Sequence, residues 1–312
     1  MPQNEIFGLT CVAEWNVPPD EIDHIDHMGT AFYAYRADQS ALHLIERLAA
    51  SPHGAAFADL VGTVADRHIH YRREQRLGAP LRLTVGVTGA KGSRICFYAE
   101  IINAETGEAA AIFNMQVELR RDRLDTPAPV PRAWLEQGAQ AWMVPPPGSG
   151  PRTLSDERLG QRVSRADFER LGVASHSRQE IRAEACDAAG FLKKTKPKFN
   201  PEDHIPQTGA MARVWNYAPG YFWPAVEQRD LRFRVPRRGD VLESYEAVVG
   251  VSDKVVHSAV WVFEARSGDL VDVRHMVTVF FAAETRRSEN IPAELLRYLK
   301  SLAKPELLTI GA

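Results

Sequence analysis

The densest cluster of chemically able side chains lies near the N-terminus: Asp23, His24, Asp26 and His27, followed at once by Gly29 and Thr30. A carboxylate placed just ahead of a helix can act as a general base or as a nucleophile. The first-turn N–H groups of that helix lack internal acceptors and carry the positive end of its dipole, so they can hold an oxyanion. The structural alternative for Asp26 is that it caps the helix or orders the loop. His-x-x-His on a turn beside two carboxylates matches no closed zinc site. His24 and His27 are therefore read as a polar loop that tunes Asp26 or lines a cleft, and no metal is expected.

A helix must stand behind this cluster. From Thr30 to Ala50, the positions Ala31, Ala34, Ala41, Leu44, Ile45 and Leu48 share one apolar face, and Thr30 is placed to cap the start. Antiparallel strands follow. Leu81, Leu83, Val85 and Val87 alternate with polar or small residues at the period of a half-buried strand. Further strands are predicted over Arg94–Ala104 and Ala109–Arg120, with a turn at Glu105, Thr106 and Gly107 between them.

The same pattern recurs. The stretch Arg76–Arg120 aligns without a gap on Arg237–Phe281, so that Gly78 meets Gly239, Gly89 meets Gly250 and Gly107 meets Gly268, a constant offset of 161 (239 − 78). These glycines are placed at chain reversals, where positive φ is useful. Asp187 and Gly190 repeat the Asp-x-x-Gly spacing of Asp26 and Gly29 at the same offset, making Asp187 the mirror candidate for catalysis. The domains predicted are residues 1–124, a proline-rich linker over 125–165, a second domain over 166–284 and a helical tail over 285–312. A short helix is expected near Ala133–Ala141, and the second domain's helix is sought between Pro201 and Tyr217, most helical over Met211–Trp215.

One long helix followed by antiparallel strands, with Asp26, Gly29, Phe32 and Tyr33 at the helix entrance, resembles the 4-hydroxybenzoyl-CoA thioesterase group of the hotdog superfamily. The resemblance implies an α+β fold of two tandem hotdog domains, each an antiparallel sheet wrapped around a long central helix. It implies hydrolysis of an acyl thioester, carried by CoA or by acyl carrier protein, without a cofactor. Asp26 would be base or nucleophile, and the amides near Thr30 to Tyr33 the oxyanion donors, with Tyr33 the position the resemblance favours. His24, His27, Gly29, Thr30, Phe32 and Gly190 would line the substrate. His68 and His70 share one strand face and either line the groove or sit at the surface. The helix entrance departs from the group in its residues after Gly29, and the second copy departs further, with Phe191-Leu192-Lys193-Lys194 where a helix should begin. Asp187 is accordingly either a second working carboxylate or a remnant.

Other features bound the reading. A formal net charge of −2 argues against nucleic acid as the main partner. No apolar run approaches the roughly 20 residues of a membrane helix, and the start has no signal-peptide character. Three cysteines, Cys11, Cys96 and Cys186, fit neither a zinc site nor a disulfide framework, so a reducing cytoplasm is the default. Cys186 is read as a packing residue and His257 as a strand histidine with a local partner. Lys193, Lys194, Lys196 and Lys198 attract phosphates or form a solvated loop. Trp215, Tyr217, Tyr221, Phe222 and Trp223 wall a pocket or pack a helix end. A homodimer of double units is expected. The enzyme alternative is a hotdog hydratase or dehydratase, for which Asn200-Pro201-Glu202-Asp203-His204 is the nearest motif; a non-catalytic acyl-CoA-binding module is the third reading.

Overall fold

The computed structural model describes residues 8–23, 25–50, 57, 59–121, 126–138, 142–155, 159, 163–197, 214 and 219–309. The chain forms two compact units, residues 1–151 with 195–199, and residues 152–194 with 200–312.

In the first unit, strand β1 (Thr10–Asn16) precedes helix α1 (Thr30–Ala49). Strands β2 (Leu60–Tyr71), β3 (Pro80–Lys91), β4 (Arg94–Asn103) and β5 (Ala109–Arg121) follow, then a short helix α2 (Arg132–Gly138). The strands are antiparallel in the order β1-β3-β4-β5-β2. Phe32, Ala37, Ala41, Leu44, Ile45 and Leu48, spaced to share a helix face, are buried on α1. They share one core with Leu81, Leu83, Val85 and Val87 of β3 and Phe97, Ala99 and Ile101 of β4. Gly62 permits a close approach of helix and sheet, since a Cβ there would lie 2.9 Å from both Ile45 and Val117. The proline-rich stretch is more than a connection. Val130 and Trp134 enter this core, while Leu154, Leu159 and Val163 enter that of the second unit.

The second unit contains α3 (Arg165–Arg170), β6 (Ser175–Glu180), β7 (Tyr221–Phe222), β8 (Ala225–Arg232), β9 (Val241–Val251), β10 (Val255–Glu264), β11 (Leu270–Val279), β12 (Phe281–Ala282), β13 (Arg287–Ser288) and α4 (Ala293–Leu302). Its long strands run antiparallel in the order β8-β11-β10-β9-β6, and a small sheet is ordered β13-β12-β7. The helix sought between Pro201 and Tyr217 lies outside the described residues, except for Val214. No described helix is long and apolar enough to cross a membrane.

The offset of 161 holds down to the irregularities. A register shift at Val87/Gly89 opposite Phe97/Cys96 recurs at Val248/Gly250 opposite Ser258/His257. Gly89 and Gly250 therefore mark bulges inside strands, not the reversals expected from sequence. Gly78, Gly239, Gly107 and Gly268 do take positive φ, between 73° and 83°. Upstream the offset changes. The bulge at Cys11/Ala13 in β1 recurs at Ser175/Ser177 in β6, and the 3-10 turn Pro19–Glu21 recurs at Ala183–Ala185, both at an offset of 164 (175 − 11).

The two copies differ in which face is apolar. Leu83, Val85, Phe97, Ala99, Phe113 and Met115 pack the first core. Their counterparts at offset 161 are Ser244, Glu246, Ser258, Val260, Arg274 and Met276, none of them in either core cluster of the second unit. There, Tyr245, Ala247, Val249, Ala259, Trp261, Phe263 and Val273, on the opposite face, pack against Phe168 of α3 and Leu307. On the first face, Arg232 pairs with Asp272 and Arg274 with Asp230 across β8 and β11, each at 2.8 Å. A period-two strand changes its buried face by exchanging the two alternating sets, with no change of register.

Glu227 ties the arriving chain to β8. It is 2 % exposed, and its carboxylate accepts the N–H groups of Arg152 (2.9 Å), Thr153 (2.9 Å) and Leu154 (3.2 Å). Glu227→Gln sets an NH2 group against one of these donors and is expected to cost about 2 kcal/mol, measured as a lowered urea midpoint with an unchanged m-value.

Candidate active site

The loop between β1 and α1 closes on itself. Glu21 carbonyl oxygen accepts the Gly29 N–H at 2.9 Å, Ile22 bridges Met28, and Asp23 N–H donates to the His27 carbonyl at 2.7 Å. Oδ1 of Asp23 accepts the N–H groups of Ile25 (3.0 Å) and His27 (3.1 Å), an Asx turn that fixes the loop. Asp26 donates its N–H to Asp23 carbonyl and stands at φ +61° with its side chain exposed.

The second unit repeats this loop in detail, but not in the register that Asp-x-x-Gly suggests. Asp187 N–H donates to the Phe191 carbonyl at 2.8 Å, its Oδ1 accepts the N–H groups of Ala189 (2.9 Å) and Phe191 (3.0 Å), and Cys186 bridges Leu192. These are the bonds of Asp23, at the offset of 164. Asp187 is thus the counterpart of Asp23, and Gly190, at φ +84°, that of Asp26. A left-handed residue with a Cβ carries a backbone cost that glycine avoids. The first unit keeps a carboxylate at the position where the second has glycine.

Helix α1 starts at Thr30, with Gly29 as N-cap and no side-chain cap. Thr30 does not cap the helix, because it already lies within the first turn. The Phe32 N–H turns back to the Gly29 carbonyl at 3.0 Å, whereas Thr30 and Ala31, both exposed, have no backbone acceptor among the described residues. Asp26, Thr30 and Ala31 are thus exposed residues of the helix entrance. Tyr33 is the fourth helical residue, where the i→i−4 ladder begins. Its ring is buried edge-on against Tyr71 at 5.7 Å; burial, with Asp23 adding negative charge, holds the phenol above its ordinary range.

The other expected residues divide. His27 is buried and its Nε2 lies 3.2 Å from Glu74 Oε2, so it faces inward from the loop. Phe32 is buried in the core. His68 and His70 are both 3 % exposed, with rings 4.9 Å apart, and the surface alternative is ruled out. His24, Trp215, Tyr217, Lys198 and Asn200 to His204 lie outside the described residues. Cys186 is buried, as expected, its thiol directed at the Arg182 carbonyl. Trp223 donates to the Val214 carbonyl and packs on Phe280, while Tyr221 stacks on Phe280 at 4.8 Å, so these aromatics pack the fold. Lys193 and Lys194 are exposed; Lys196 is held by Asp20 and Glu21 at 2.9 and 3.0 Å.

Sequence reasoning passed over Glu21, Arg36 and the buried pair of Asp38 with Arg67. The last had a visible signal: Asp38 falls between Ala34 and Ala41 on the apolar face of α1, where a charge needs a partner.

Residues 17–138 match the model of the thioesterase-like superfamily. The 12:0-ACP thioesterase from Umbellularia californica superposes with a TM-score of 0.62 at 12% identity, covering 86% of this chain and 93% of that one. An acyl-ACP thioesterase from Bacteroides thetaiotaomicron superposes with a TM-score of 0.58 at 10% identity, covering 90% and 100%. At such identities the likeness establishes the fold. No curated protein sequence matches the chain. Residues 17–138, which contain the Asp26 loop, α1 and β2 to β5, thus resemble the thioesterase-like superfamily, and the chain shares the hotdog-type fold of these thioesterases.

Proposed function

We propose that the protein is an acyl-thioester hydrolase built as a double hotdog, with one working carboxylate, Asp26. The observation that carries this reading is the left-handed, exposed Asp26 in a loop whose copy has Gly190 at the same place. Strained non-glycine residues persist where function needs the side chain. Asp26 acts as base toward water, or attacks the thioester carbonyl, while the Thr30 and Ala31 amides stabilise the oxyanion. The acyl group runs toward the apolar core under α1. The matching face of the second sheet, with Ser244, Glu246 and Arg274, suits no such chain, so that unit serves as a structural partner.

The test is thiol release from a panel of short, long, branched and aromatic acyl groups, each presented on CoA and on acyl carrier protein. Hydrolysis of at least one, saturable in substrate, supports the reading. Folded protein that cleaves none of them overturns it, and the next assay would be hydration of an enoyl-CoA.

A further inference from the structure

We propose that Lys196 is a positioning residue for the Asp26 loop, acting through the buried carboxylate of Glu21; the catalytic half of this inference rests on the hydrolase reading above. Glu21 is fully buried and supports both ends of the loop base. Its carbonyl oxygen accepts the Gly29 N–H that starts α1, and the neighbouring Ile22 bridges Met28. Its side chain is buried as well. Oε1 meets Arg36 Nη2 at 2.5 Å and Lys196 Nζ at 3.0 Å, while Oε2 has no hydrogen-bond partner among the described residues.

Two cations therefore share one buried carboxylate, and they come from different places. Arg36 belongs to α1 itself and lies 4.5 Å over the Trp15 ring of β1. Lys196 arrives 176 residues after Asp20, to which it also bonds at 2.9 Å, and its ammonium stands 5.7 Å over the Phe32 ring in the first turn of α1. Residues 195–199 cluster with the first unit, although the chain on either side clusters with the second. The one lysine in this excursion with a described position is thus spent on the helix entrance, which removes it from any role in attracting phosphate.

Removing one of two cations from a buried carboxylate leaves it less fully compensated, here with Arg36 as its remaining partner. Without Lys196, Glu21 must move toward water or shift onto Arg36 alone. Either response moves the Gly29 anchor, and with it the spacing between Asp26 and the Thr30 and Ala31 amides. Because rate depends steeply on such spacing, kcat should respond more than KM.

The experiment compares Lys196→Met, Lys196→Arg, Asp26→Asn and the double variant Lys196→Met/Asp26→Asn in the full chain. Hydrolysis of the best thioester and amide hydrogen exchange are both measured. Lys196→Met is expected to lower kcat by about tenfold with KM within about twofold. It should also speed exchange at the amides of His27, Met28 and Gly29, while Lys196→Arg recovers most of both. In the Asp26→Asn background Lys196→Met should cost nothing further, as for residues acting through one another. Unchanged kcat with unchanged exchange overturns the proposal, and so does an equal loss in both backgrounds, which marks a general structural role. Faster exchange in a protein whose hydrolysis ignores Asp26 overturns the assignment of Asp26 and the catalytic role of Lys196, leaving the lysine as a loop anchor only; faster exchange in a folded protein that cleaves no thioester overturns the hydrolase reading and leaves only the anchor.

Discussion

Asp26→Asn is expected to remove hydrolysis by roughly a hundredfold or more, the scale of general-base catalysis, while the chain unfolds at the same temperature as the parent. The carboxylate has no hydrogen bond or ion pair among the described residues, so its charge supports nothing in the fold. Asp26→Gly separates activity from stability more sharply. At φ +61° glycine has no steric cost, so this variant should be stabilised by about 1 kcal/mol and be equally inactive. Asp187→Ala should behave in the opposite way. It removes the acceptor for the Ala189 and Phe191 amides and costs about 1 kcal/mol, but leaves kcat unchanged. Asp23→Ala, which breaks the same turn in the first unit, should lose both stability and rate. Progress curves and thermal melts on the four variants check all of this. Loss of hydrolysis in Asp187→Ala with retention in Asp26→Asn would sink the single-site assignment.

Much of the architecture was legible because the strands announce themselves twice. The turn at Gly107 placed β4 and β5 within one residue, alternation over Leu81 to Val87 found β3 but stopped short of its end at Lys91, and the constant offset carried the pattern onto the strands of the second unit. A fixed offset survived there because hairpin turns and bulges tolerate no insertion without a change of face. It failed where the constraint is weaker. Between the Asp loop and the next strand, the second unit is three residues shorter (164 − 161), as the two offsets show. The spacing Asp-x-x-Gly then fell by coincidence on Asp187 and Gly190, whose backbone bonds are those of Asp23 and Asp26. Hydrogen-bond identity within a loop is not encoded in residue type alone, since aspartate serves equally as Asx-turn former and as base. The exchange of buried faces was harder still to see. Both alternating sets of β9 contain apolar residues, with Leu242 and Val248 in one and Tyr245, Ala247 and Val249 in the other, so the sequence alone left the choice open. Lys196 could not have been placed, because its partner Asp20 lies 176 residues away.

Acidification between pH 6.5 and 4.5 is expected to destabilise the protein through one pair of histidines. His257 Nε2 and His275 Nδ1 lie 3.1 Å apart on β10 and β11, with His257 half-buried and His275 wholly buried and edge-on to Trp261 at 5.9 Å. Burial pushes His257 down to about 4, against the pull of Glu227, and His275 down to about 3, with His257 and Arg229 adding to the effect and Asp230 opposing it. Both are mostly neutral in the folded protein until the pH nears the His257 value of about 4, whereas in the unfolded chain they titrate near their ordinary value of 6.5. The unfolded state therefore binds the extra protons. Stability is at its plateau above pH 6.5, falls as the pH drops below it, and goes on falling toward the folded values. The slope can approach two protons, or about 2.7 kcal/mol per pH unit. Glu264 acts lower down. Three backbone N–H bonds, led by Ser267, hold it at about 2, so its contribution persists until the pH passes below its ordinary 4.5. The first unit supplies the control residues, because Cys96 and Asn114 occupy the equivalent strand positions at offset 161. Urea midpoints at pH 7, 6 and 5 should fall steeply for the parent and flatten for His257→Cys/His275→Asn, whatever the variant's starting stability. A parent curve that is flat over this range, or a double variant that keeps the slope, would assign the acid sensitivity elsewhere in the fold.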